Sequence, residues 1–90
     1  MKVKVYYHAS FSDITGREEE ILQAECLNLE ELFHNLRTRY GKEFQELLFD
    51  QKSGNISPGV VVFVNSLLTS PHTLLKDGDE VAFLMPLAGG

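Results

Sequence analysis

Val3, Val5 and Tyr7 alternate with Lys2, Lys4 and Tyr6, the period of a strand with one buried face. Asp13-Ile14-Thr15-Gly16 reads as a turn, with Gly16 free to take a positive φ. A second strand is expected over residues 19–25. The adjacent Ile21 and Leu22 leave open which of them faces inward. These two strands form a hairpin with a long connection. The periodicity then changes: Leu29, Leu32, Phe33, Leu36 and Tyr40 fall on one face of a helix. Asn28 stands at its N-cap with Glu31 three residues on, and Gly41 supplies the stop. Phe44, Leu47 and Leu48 predict a short second helix or turn, and residues 51–59, with Gly54, Pro58 and Gly59, predict a loop.

The continuous run Val60-Val61-Val62-Phe63-Val64 predicts a central strand, and residues 66–69 a short edge strand. Asp77-Gly78-Asp79 is a turn. Residues 80–85 form the last strand, ended by Pro86, which has no N–H to give a ladder. The order strand, strand, helix, strand, short strand, strand implies an α+β architecture, one main helix on one face of a small mixed sheet.

Composition narrows the function. Ninety residues, 43% of them hydrophobic, allow one domain that buries about 64% of the open chain's surface, enough for a small core but not for a large enclosed active site. Eight Lys and Arg against 13 Asp and Glu give a net charge of −5, which lacks the basic footprint of a nucleic-acid binder. The N-terminus has no apolar stretch of signal-peptide length, and no run reaches a membrane span, so a cytoplasmic protein with neither nucleic-acid nor membrane partner is expected. The triplet Asn55-Ile56-Ser57 carries no weight without a secretory signal.

The chain shows no built-in catalytic constellation. His8, His34 and His72 have no ligand spacing with one another or with the single Cys26, so no bound metal or cofactor is expected. Nothing beside Cys26 in sequence lowers its pKa. There is no nucleophile elbow and no glycine-rich phosphate loop. Glu18-Glu19-Glu20 reads most simply as a solvated stretch.

The informative segment is Pro86-Leu87-Ala88-Gly89-Gly90, where the sequence stops. Two terminal glycines let a backbone thread a narrow channel. The α-carboxylate of Gly90, with an ordinary pKa of about 3.5, is ionised at neutral pH. In another protein's nucleotide site it can attack the α-phosphate of ATP, after which sulfur displaces AMP and leaves a thiocarboxylate.

The stretch Leu75-Lys76-Asp77-Gly78-Asp79-Glu80-Val81-Ala82-Phe83-Leu84-Met85 leading into that tail resembles the C-terminal signature of the MoaD/ThiS family of ubiquitin-like sulfur carriers. That signature is a Leu-x-Asp-Gly-Asp-x-Val turn and strand, an apolar segment with proline, then Gly-Gly. Val62-Phe63-Val64-Asn65 resembles the family's preceding strand, which ends in Asn-Gly; Ser66 stands here in place of the glycine and leaves the turn type open. The resemblance implies a β-grasp fold over residues 1–85 with a flexible tail over 86–90. Length and tail are most like the molybdopterin synthase small subunit. Gly90 is then the adenylate and thiocarboxylate carrier, Gly89 its flexible neighbour, and Pro86, Leu87 and Ala88 the inserted tail. The implied partners are a ubiquitin-activating-like adenylyltransferase, which uses the ATP, and a molybdopterin synthase large subunit or other sulfur acceptor. The chain itself is expected to be a non-catalytic carrier. Three other readings stay open: a carrier for thiamine, cysteine or tRNA thiolation, a modifier conjugated to target lysines, and a β-grasp interaction domain with an inert tail.

Strand alternation adds an expectation about docking. If Val81 and Phe83 face the helix, Ala82 and Leu84 face away, and Val61 and Phe63 cannot share a face with Val60, Val62 and Val64. One helix covers one face, so an apolar patch is expected on the other, unless the 51–59 loop covers it. Leu84 and Met85, just ahead of the tail, are the expected partner interface.

Overall fold

The opening alternation becomes β1, Lys2–Tyr7, with Val3, Val5 and Tyr7 buried. The coordinates are a computed structural model that describes residues 1–23, 25, 28–70 and 72–85. After β1 come α1 (Ser10–Thr15), β2 (Glu19–Gln23), α2 (Leu29–Tyr40), α3 (Lys42–Leu48), β3 (Val61–Val64), β4 (Leu67–Leu68) and β5 (Glu80–Leu84). The strands form one mixed sheet in the order β2-β1-β5-β3-β4. Only the β1–β5 pair is parallel, which brings the first and last strands together.

The expected turn at residues 13–16 is the end of α1, a helix the sequence reading did not contain. Its first residue follows Ala9, held at φ 53 and ψ −127, and Gly16 closes it in the left-handed region at φ 76. Phe11 is the reason for this helix: it is the one side chain of α1 that is fully buried, and six residues are too few for a visible period. The parity of β2 is settled by Leu22, which points inward at 4% exposure while Ile21 is 65% exposed. Period two then carries Glu20 inward as well, to 8% exposure, so it is not part of a solvated stretch.

The main helix begins where expected: the Asn28 side chain accepts the Glu31 backbone N–H at 2.9 Å. Leu29, Leu32, Phe33 and Leu36 are buried, and Tyr40 is half-buried. Gly41, at φ 83, ends α2 and admits α3 directly. The run at 60–64 is interior in the sheet, but it is not the central strand. That place belongs to β5, and β3 is covered on one face only, with Val61 and Phe63 half-exposed.

A single cluster of buried side chains joins the sheet to all three helices, so the helices share one face. Phe83 on β5 is its hub. Its ring lies 5.4 Å from Phe11 of α1, 5.8 Å from Phe33 of α2, 5.8 Å from Phe44 of α3 and 6.1 Å from Tyr7 of β1. Such ring pairs add about 0.5–1.5 kcal/mol each beyond the area they bury.

Candidate docking face beside the C-terminal segment

β5 reaches its place through two turns. Gly78, at φ 89, takes the left-handed position of the 77–79 turn, and its N–H donates to the Lys2 carbonyl at 2.8 Å. The β3–β4 turn has Asn65 at φ 51 and Ser66 at φ 69, the type I′ geometry that an Asn-Gly pair adopts. Ser66 accepts that conformation in place of glycine. Asn65 ties the turn to β5: its amide donates to Asp79 at 3.0 Å and its carbonyl oxygen accepts the Glu80 N–H at 3.0 Å.

The strand registers then assemble the face away from the helices. Tyr6 of β1 lies beside Ala82 of β5, Ala82 beside Phe63 of β3, and Phe63 beside Leu68 of β4. One row further toward the end of β5, Leu84 lies beside Val61. Val81 and Phe83 point into the core, so Ala82 and Leu84 point out, as alternation requires. The result is an apolar surface of half-exposed side chains bordered by an exposed Leu68. On the far side a charged margin begins, where the Lys4 ammonium sits 3.4 Å from Glu19 and 5.2 Å from the centre of the Tyr6 ring. The 51–59 loop divides: Gln51, Gly54, Asn55 and Ile56 lie beside α2 and α3, where Ile56 leans on the core and bridges Phe49, while Ser57 and Pro58 line a groove with Val61 and Leu68 at the margin of this face.

Leu84 and Met85 are both half-buried, Met85 against the core. Pro86, Leu87, Ala88, Gly89 and Gly90 lie outside the described residues, as does Cys26. The histidines remain apart: His8 follows β1, His34 is exposed on α2, and His72 lies 3.9 Å from Glu30. Among the described residues no three His, Cys, Asp or Glu side chains are grouped to hold a metal ion. No described helix is long and apolar enough to cross a membrane. A concavity of about 1170 Å³ lies between α2, α3 and the 50–56 segment. Its floor holds Phe33 and Phe49, with the Arg37 guanidinium 4.9 Å above the Phe49 ring.

A buried polar centre lies on the helix side. The Tyr7 hydroxyl donates to the Glu20 carboxylate at 2.6 Å, and the Tyr40 hydroxyl donates to the same oxygen. Arg39 and Arg17 reach the other carboxylate oxygen at 3.4 and 3.7 Å. Burial, followed by the bond to Glu20, pushes both phenols above their ordinary range. Sequence reading missed this centre; the signal available was the parity of Leu22, which places Glu20 on the same side.

The chain matches the family model described as the ThiS family over residues 5–90. It is 38% identical over 63 residues to Ubiquitin-related modifier 1 of Laccaria bicolor, a match covering 66% of this chain and 50% of that relative. The chain thus spans about half the length of the curated relatives it matches. Among solved structures, Urm1 from Trypanosoma brucei superposes with a TM-score of 0.78 at 30% identity, covering 99% of this chain and 95% of that one. A proposed molybdopterin converting factor subunit 1 from Pyrococcus furiosus superposes with a TM-score of 0.77 at 30% identity, covering 97% of this chain and 99% of that one. With this sheet order, these helices and a match along nearly its whole length, the chain has the β-grasp fold and belongs to the ThiS family of ubiquitin-like sulfur carriers.

Proposed function

We propose that this chain carries sulfur on Gly90 and donates it in molybdopterin biosynthesis. The observation that carries the reading is the position of the apolar face: its last row, Leu84 beside Val61, lies directly ahead of Met85 and the Pro86-Leu87-Ala88-Gly89-Gly90 segment. A partner gripping that row is positioned to draw the glycines into its own channel. The Gly90 carboxylate attacks the α-phosphate of ATP in an adenylating partner related to the ubiquitin-activating enzymes and releases pyrophosphate. A sulfur nucleophile then displaces AMP, leaving the thiocarboxylate. Seated in a molybdopterin synthase large subunit, the thiocarboxylate sulfur bonds to the acceptor substrate as a thioester, and water cleaves the acyl–sulfur bond, leaving sulfur on the substrate and the Gly90 carboxylate regenerated. In this reading the chain is substrate and carrier, and its partners supply the catalysis. Its likeness to the Pyrococcus furiosus protein named as a molybdopterin converting factor subunit supports this acceptor.

The Laccaria bicolor and Trypanosoma brucei relatives support a second reading, a ubiquitin-related modifier joined through Gly90 to target lysines. Both readings share the activation step. The test incubates the full chain with an adenylating partner, ATP and a sulfur donor, then adds either a molybdopterin synthase large subunit with its substrate or a lysine-bearing protein extract. Intact-mass spectrometry should show one oxygen replaced by sulfur at Gly90, followed by sulfur transfer. Isopeptide-linked product without sulfur transfer selects the modifier. Sulfur mapped to Cys26 rejects both.

A further inference from the structure

We infer that Arg17 and Arg39 form a two-arginine clamp at the end of the sheet where β5 gives way to the C-terminal segment, and that the clamp takes an aspartate or glutamate carboxylate of the protein gripping that segment. This contact rests on the docking reading proposed above and deepens it.

Glu20 sets the clamp. Arg17, from the α1–β2 connection, and Arg39, from the last turn of α2, place their Nη1 atoms 3.7 and 3.4 Å from the same Glu20 oxygen. Glu20 does not need both of them. Tyr7 and Tyr40 already donate to its other oxygen, and one guanidinium balances its charge. Arg39 gives it a hydrogen bond; the Arg17 guanidinium donates none among the described residues. Two cations around one buried anion leave a local surplus of one positive charge in a chain of −5. Among the described residues neither guanidinium has a second carboxylate within 4.0 Å, and Glu18, exposed beside Arg17, pairs with neither. The two side chains are 54% and 56% exposed, so their remaining N–H donors are open to solvent. Glu20 holds them in fixed relation, and a planar guanidinium fork matches a carboxylate.

Topology puts the clamp where a partner must come. β2 runs antiparallel to β1 and β5 runs parallel to it, so the start of β2 shares an end of the sheet with the last residues of β5. At that end the Tyr7 N–H donates to the Glu18 carbonyl at 2.8 Å and the His8 N–H to the Phe83 carbonyl at 3.1 Å. Two strand spacings, about 10 Å, separate the start of β2 from Leu84. A partner that draws the residues after Met85 into a channel presents the rim of that channel to this end. Leu84 and Val61 meet the rim from the open face, and the arginines meet it from the helix side. An acidic residue on that part of the rim is attracted by the surplus charge, and a basic one is repelled.

Calorimetric titration of the full chain with an adenylating partner, without nucleotide, tests the inference. Arg17→Gln and Arg39→Gln should each weaken binding about tenfold or more. The thermal melt should change little, because each variant leaves Glu20 one arginine and both tyrosines. Should Arg39→Gln melt early, Arg17→Gln decides alone, since it removes no hydrogen bond. Lys76, exposed before the 77–79 turn at the opposite end of the sheet, is the control: Lys76→Gln removes the same charge and should bind as the unchanged chain does. Equal affinities for the three glutamine variants overturn the inference. If the arginine variants bind normally while Leu84→Glu binds weakly, the clamp falls and the docking reading stands. If Leu84→Glu binds normally too, both fall. A loss seen only when ATP is present assigns the arginines to nucleotide phosphates and overturns the partner carboxylate.

Discussion

The Tyr7 hydroxyl donates to the Glu20 carboxylate across the β1–β2 pair at 2.6 Å, and Tyr40 reaches the same carboxylate from the end of α2. One buried acid therefore joins the first hairpin to the main helix. Replacing Glu20 with Ala leaves two phenols without their acceptor and should cost about 2–4 kcal/mol in chemical denaturation. Tyr7→Phe, which leaves Tyr40 and the arginines on Glu20, should cost less.

The same centre sets an alkaline limit. Tyr7 and Tyr40 have folded-state pKa values raised above 10, the unfolded value, by burial and then by Glu20. The folded state thus holds its phenolic protons at pH values where the unfolded chain has released them. Stability from these groups is full below about pH 10 and falls as pH rises beyond it, by up to about 1.4 kcal/mol per pH unit for Tyr7 and less for the more exposed Tyr40. Denaturation curves between pH 8 and 11 (about one unit past the unfolded value) should show this loss, and Tyr7→Phe should remove most of it.

Ala9 at φ 53 and Ser66 at φ 69 hold left-handed backbone with a Cβ present. Strain of this kind costs about 1–3 kcal/mol, partly offset when glycine's larger unfolded-state entropy is counted. Ala9→Gly and Ser66→Gly should each raise stability, by about 0.5–1 kcal/mol. The thermal midpoint should rise in both, and a fall in either contradicts the assignment of strain.

Leu84→Glu should leave the fold intact, because Leu84 is half-buried on the open face beside Val61. It should weaken binding to the adenylating and acceptor partners by about 2–4 kcal/mol, the range for an anchor at the centre of an interface. Calorimetric titration of the folded variant measures it. Unchanged affinity for both partners places the docking surface elsewhere.

Leu36→Ala separates stability from carrier chemistry. Leu36 is fully buried in the core, so truncation should cost about 2–5 kcal/mol. The surviving folded protein should still be sulfurated at Gly90. Deleting Gly89 and Gly90 should do the reverse, abolishing sulfuration while the thermal melt stays in place.

Local pattern determined a great deal. The alternation at Val3, Val5 and Tyr7, the helix from its Asn28 cap to its Gly41 stop, the 77–79 turn and a short edge strand, expected over 66–69 and observed at Leu67–Leu68, follow from period, capping and turn chemistry, which act within a few residues. The tail resemblance was likewise legible, since it rests on contiguous residues. Tertiary structure decided the rest. α1 exists because Phe11 finds Phe83 and Phe44 at 5.4 and 5.6 Å, partners far along the chain. β5 rather than β3 is central because the first and last strands pair in parallel, a long-range choice that a run of valines does not encode. Glu20 is buried because Leu22 fixes the strand's parity and two tyrosines and two arginines, from β1, α2 and the α1–β2 connection, converge to satisfy its charge. A residue's own type states the cost of burying it; only the folded chain assembles the partners that offset that cost.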